Sequence, residues 1–121
     1  MLIRYKKSLE KIAMGLLSFM PEEKDVKKLQ QTIKEYEDNE NWLLYLWKEE
    51  DILGAIGVRV DDQEKKLMIQ HITVNPSHRN SGIGRKMVQE IRELYSEKYF
   101  ICANDLTNHF LDKCRDNHNQ L

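Results

Sequence analysis

Over residues 67–103 the hydrophobic period changes twice, and this constrains the fold more than any other feature of the chain. "LMIQHITV" (67–74) has the length and composition of a strand. Ile83, Met87, Val88, Ile91, Leu94 and Tyr95 then recur at helical spacing, and "KYFICA" (98–103) reads as a strand again. Strand, helix, strand over this span predicts a right-handed crossover with the strands at 67 and 98 parallel or close to it. Between the first strand and the helix lies "NPSHRNSGIGRKM" (75–87), which places two of the chain's five glycines, Gly82 and Gly84, one residue apart.

The residues before 67 supply the rest of the sheet. "WLLYLWK" (42–48) and "ILGAIGVRV" (52–60) are rich in aromatic and β-branched residues and joined by the short acidic turn "EED". With the strand at 67 they predict a three-strand antiparallel meander. "MLIRYK" (1–6) alternates as a short opening strand. Leu9, Ile12, Ala13, Leu16, Leu17 and Met20 mark a helix over 8–20. Val26, Leu29, Ile33 and Tyr36 mark a second over 22–37, whose charged residues read as solvated surface. A last helix, 106–115, is expected after Asn104 or Asp105 as N-cap. At 121 residues the chain supports one core. The expected class is α/β (α+β): one domain over 1–121, a mixed, mostly antiparallel sheet, and helices on both faces.

Charge and cysteine usage narrow the partners. Nineteen basic and 20 acidic residues give a net charge of −1 and are scattered, so no basic footprint for nucleic acid is present. Cys102 and Cys114 form no C-x-x-C pair, and no signal-peptide h-region opens the chain. A cytoplasmic protein with reduced thiols is expected. The apolar runs are far short of the ~20 residues that cross a bilayer, so no membrane association is expected.

The glycine loop falls where a strand ends and a helix begins. There the first amides of the helix lack internal partners and the macrodipole presents partial positive charge, which suits a phosphate. Arg79, Arg85 and Lys86 add local positive charge, and glycine permits positive φ and close backbone approach. A plain strand-to-helix turn is the other reading. A P-loop is excluded because no Ser or Thr follows Lys86, and a dinucleotide loop because Met87 stands at the third glycine position.

The run "HITVNPSHRNSGIGRKMV", with R-x-x-G-x-G at Arg79–Gly84, resembles the acetyl-CoA-binding core of the GNAT acyltransferases, and the element order resembles that fold over nearly the whole chain. The resemblance implies an N-acetyltransferase with acetyl-CoA as cosubstrate, no metal, and an unidentified amine acceptor, a small molecule or a protein lysine. It implies that amides of Arg79, Asn80, Ser81, Gly82, Ile83, Gly84 and Arg85 hold the CoA pyrophosphate. The main chain of Ile72, Thr73 and Val74 would pair with the pantetheine arm where neighbouring strands splay apart. Asn104 matches a residue that contacts that arm, and it also fits a simple N-cap. The first 21 residues, "MLIRYKKSLEKIAMGLLSFMP", together with the downstream "VNPSHR", are similar to a small bacterial branch of the family associated with riboflavin operons.

The resemblance is weakest at the acid and base. The glutamate that commonly serves as base aligns with Met68, and the tyrosine acid of the last helix aligns with Leu111. His71 is the leading substitute base, because an unperturbed imidazole titrates near ~6.5 and this one lies one residue from the pantetheine segment. The competing reading is a strand histidine on the opposite face, satisfied by a carbonyl. Cys114 or His109 could serve near the thiol, with a buried structural thiol the alternative for Cys114. Cys102 reads as core, and Trp42, Tyr45 and Trp47 as packing or an acceptor cleft. With both usual positions empty, a CoA-binding accessory protein stands as the alternative to an active transferase. Family members continue with two further strands where this sequence reads "CRDNHNQL". The expectation is an acceptor side left open or completed by a second copy, in a monomer or a homodimer.

Overall fold

The computed structural model describes residues 1–23, 25–104 and 107. Of the helix expected at 106–115 only Thr107 falls among them; His109, Leu111 and Cys114 lie outside. The elements run β1 (Leu2–Arg4), α1 (Glu10–Leu17), α2 (Val26–Asp38), β2 (Trp42–Lys48), β3 (Ile52–Asp61), β4 (Lys66–Val74), α3 (Ile83–Tyr95) and β5 (Phe100–Ala103). Single 3-10 turns, Lys7–Leu9, Pro21–Glu23 and Pro76–His78, precede α1, α2 and α3 respectively.

The five strands form one sheet in the order β1-β2-β3-β4-β5. Every neighbouring pair is antiparallel except β4 and β5, which run parallel from Lys66↔Phe100 to Ile69↔Ala103. The meander and the parallel crossover pair are therefore as the periodicity predicts. α2 begins where it does because Asp25 is an N-cap, its carboxylate accepting from the Lys27 amide at 3.2 Å.

Strand alternation divides the interior into two apolar layers. On one face Ile56, Val58, Leu67, Ile69, Ile72 and Val74 pack with Met87, Val88 and Ile91 of α3. On the other, Leu44, Leu46 and Ala55 meet Ala13, Leu16, Leu17, Leu29, Ile33 and Tyr36 of α1 and α2. Helices thus cover both faces. Tyr45 and Trp47 belong to the α3 layer and are buried; half-buried Trp42 packs on the other side. Cys102 is half-buried and free rather than fully interior.

One irregularity in β4 positions everything that follows. His71 lies opposite Gly57 and Ile69 opposite Val58, so Gln70 is an extra residue, a β-bulge. Before it the α3-facing residues are Leu67 and Ile69; after it they are Ile72 and Val74. The bulge turns both Gln70 and His71 toward α2, where each contacts Tyr36.

Candidate functional site

β4 is longer than its parallel partner. Pairing with β5 stops at Ile69↔Ala103, while β4 runs on to Val74, held on its other side by β3 through Ala55↔Thr73 and Gly54↔Val74. Asn104 stands at the divergence, its amide Nδ2 donating to the Gln70 carbonyl at 3.3 Å and its Oδ1 accepting from the Thr107 amide at 3.1 Å. Buried Thr107 donates its hydroxyl to the Ile69 carbonyl at 2.7 Å. Asn104 therefore both caps the turn after β5 and touches β4 where the two strands part. Past that point the main chain of Ile72, Thr73 and Val74 borders the divergence.

The strand leads directly into the glycine loop. Asn75 accepts from the Ser77 amide at 2.9 Å and starts the turn at Pro76. Arg79 Nε donates to the Val74 carbonyl at 3.3 Å, and the Ser81 hydroxyl donates to the His78 carbonyl. Asn80 at φ 72° and Gly82 at φ 83° are both left-handed, and Gly82 is the N-cap of α3 without any side-chain cap. A Cβ at Gly82 would meet nothing within 4 Å, so it is backbone conformation rather than space that favours glycine there. Arg79, Asn80, Ser81, Gly82 and Arg85 are exposed; the Ile83 side chain is in the α3 core and Gly84 is buried, so these two offer only main chain. The first internal bond of α3 runs from the Lys86 amide to the Gly82 carbonyl at 3.0 Å, which leaves the Ile83 and Gly84 amides without acceptors inside the helix. No acidic side chain lies in the first turn, so nothing there opposes an anion.

His71 is 7% exposed and faces α2, and neither of its ring nitrogens bonds a carbonyl. Nδ1 lies 2.6 Å from the Tyr36 hydroxyl, and Nε2 lies 3.3 Å from Glu23 Oε2. Gln70 Nε2 donates to the same Tyr36 oxygen at 3.3 Å, and Thr32 donates its hydroxyl to Glu23 Oε1 at 2.8 Å. The donors fix the direction of the chain. An ionised Glu23 only accepts, so His71 carries its proton on Nε2; Nδ1 then accepts from Tyr36, whose oxygen accepts from Gln70. Burial acts to raise the Glu23 carboxyl, but hydrogen bonds from His71 and Thr32 and the charge of Lys28 outweigh it and hold it below its ordinary value. Burial pushes the Tyr36 phenol far above its own, so it stays protonated.

Glu23, Tyr36 and Gln70 carry no mark in their local sequence. Glu23 sits in the charged run after Pro21 and reads as solvated, yet it is 3% exposed. One signal does exist: Gly57, where a Cβ would lie 2.0 Å from the Tyr36 hydroxyl, so only glycine in β3 lets that ring reach His71. The slip of apolar parity from Leu67 and Ile69 to Ile72 and Val74 is a second. Met68, half-buried, offers no titratable group at the usual base position.

A family model described as "Acetyltransferase (GNAT) family" matches residues 9–114. An N-acetyltransferase of Bacillus methanolicus, named for its place 3' of lysA, is 60% identical over 115 residues, covering 94% of each chain. Among solved structures, AAC(6')-Iy in complex with a bisubstrate analogue containing CoA superposes with a TM-score of 0.78 at 11% identity, over 100% of this chain and 90% of that one. The aminoglycoside 6'-N-acetyltransferase AAC(6')-IG of Acinetobacter haemolyticus gives 0.76, also at 11%, over 100% and 90%. At these identities the structures speak for the fold alone, which is the mixed sheet described above. The family match over most of the length, with a relative that shares more than half its residues, carries the remaining step: the chain belongs to the GNAT family of acetyltransferases.

Proposed function

We propose that the protein transfers the acetyl group of acetyl-CoA to a primary amine, with the pantetheine arm along Ile72–Val74 beside Asn104 and the pyrophosphate on the amides of residues 79–85. The observation that carries this reading is the continuity of the two features: β4 outruns β5 by the residues that end at the glycine loop and the uncapped start of α3. Bound CoA brings the thioester as the acyl donor; the chain's own part is to align it and to relieve the acceptor ammonium of a proton.

His71 supports the second task. It is the titratable side chain of β4 closest to the splay, and Glu23 behind it stabilises the imidazolium that forms. The acceptor in this reading is a small-molecule amine or a protein lysine. The likeness of the first 21 residues to the riboflavin-operon branch supports a place beside bacterial riboflavin metabolism in the cytoplasm. Among the described residues no helix is long and apolar enough to cross a membrane.

Thiol release from acetyl-CoA across a panel of amines tests the activity. The wild type should release thiol with at least one amine, faster as pH rises and more acceptor is neutral. His71→Ala should lower turnover by roughly 10²-fold, the range of a lost general base, and leave CoA affinity unchanged. Full turnover in that variant would remove His71 from the chemistry.

A further inference from the structure

We propose that Glu23 and Tyr36 form a proton relay with His71, in which Glu23 is a positioning residue and the Tyr36 hydroxyl passes the acceptor's proton to the imidazole. The inference rests on the acetyltransferase reading above. Both ring nitrogens of His71 are already engaged, Nδ1 by Tyr36 at 2.6 Å and Nε2 by Glu23 at 3.3 Å. A base with no vacant nitrogen works only through a partner that can give up one proton while taking another. A phenol does this, its oxygen keeping a second lone pair beyond the one that Gln70 fills, whereas an ionised carboxylate has no proton to give.

Three elements converge to build the arrangement. The turn Pro21–Glu23 supplies the carboxylate, α2 supplies Thr32 and Tyr36, and the bulge in β4 supplies Gln70 and His71. Thr32 fills Glu23 Oε1, which leaves Oε2 for the imidazole and fixes the Nε2–H tautomer. Nδ1 is thereby an acceptor facing Tyr36. Carboxylate, imidazole and hydroxyl in this order share the logic of a nucleophile–base–orienter triad, with a phenol in the hydroxyl place. The groups facing His71 are Glu23 from the turn and Tyr36 from α2, and Lys28 from α2 acts on Glu23.

The step balances. The acceptor ammonium gives one proton to the Tyr36 oxygen as that oxygen gives its own to His71 Nδ1, leaving a neutral amine and an imidazolium beside the Glu23 carboxylate. The amine lone pair forms the C–N bond to the thioester carbon and the C–S bond breaks. The new amide nitrogen loses its second proton to the thiolate, and the imidazolium returns its proton to water through Tyr36.

The test is a pH–rate profile of thiol release at saturating acetyl-CoA, with whichever of lysine, putrescine, an amino sugar or a lysine-containing peptide is fastest. Glu23→Gln and Tyr36→Phe should each lower kcat by roughly 10²-fold with the KM for acetyl-CoA unchanged. The double variant should be little worse than either single one, as expected of groups that act as a unit. Glu23→Gln should also move the acid limb to lower pH, because the imidazolium loses its counter-charge; a merely structural glutamate would leave the limb in place. In the unaltered protein, ¹⁵N shifts of His71 should report the Nε2–H tautomer. The Nδ1–H tautomer, or an active wild type whose turnover and acid limb survive both substitutions, would overturn the relay alone. No thiol release from the wild type with any amine would overturn both the relay and the activity it serves.

Discussion

Gly57 and Tyr36 occupy space that two side chains cannot share. A methyl group on Gly57 would approach the Tyr36 hydroxyl to 2.0 Å and the ring carbon beneath it to 2.5 Å, and that ring is buried and hydrogen-bonded to His71 and Gln70. Gly57→Ala should therefore cost about 1–3 kcal/mol, the usual range for overpacking, and should break the bond to His71. Urea unfolding and the His71 ¹⁵N shifts check both effects. Glu23 gives a second residue-level expectation, in acid. Its carboxyl is held below the ordinary value of 4.5 in the folded protein, so the stability it contributes is complete above that value and is lost as pH falls through the folded one. A series of urea midpoints from neutral to acid pH should fall less steeply for Glu23→Gln than for the wild type. Glu23 is not legible from its neighbours in sequence: "PEEKD" reads as solvated surface, and only the packing of the turn against α2 and β4 buries the middle of it.

At the scale of elements, β4 and the loop after it form one continuous device. Gly82 holds φ 83° at the start of α3 with open space around its absent Cβ. Backbone strain and bulk can therefore be separated experimentally. Gly82→Val, β-branched in a left-handed conformation, should weaken CoA binding at least tenfold, about 1.4 kcal/mol, whereas Gly82→Asn should stay close to wild type because Asn tolerates that region. Calorimetric titration with CoA checks the ordering; equal losses in the two variants would point to bulk instead. This element was the most legible in the sequence. The switch of period at residues 74–83 and the paired glycines located the loop, and the crossover rule gave the parallel pair. The bulge was harder to read, although Leu67, Ile69, Ile72 and Val74 record it as a slip of one. A slip in one strand gains meaning only against the register of its neighbour, and that register depends on Gly57 opposite His71.

Across the whole molecule, one sheet serves two unlike layers. The α3 layer is continuous and apolar, and it fixes the helix whose N-terminus meets the loop. The α1–α2 layer has an apolar body and, at β4, the buried polar group of Glu23, Thr32, Tyr36, Gln70 and His71. In the proposed reading the cosubstrate path and the proton path converge on β4, one along its free edge and the other on its α2 face. Amide chemical-shift mapping with CoA added to the ¹⁵N-labelled protein tests that convergence most directly. The largest perturbations should fall on residues 72–74, 79–85 and Asn104, with smaller ones at Gln70 and His71. Saturable binding whose shifts cluster elsewhere, or no saturable shifts at millimolar CoA, would contradict it.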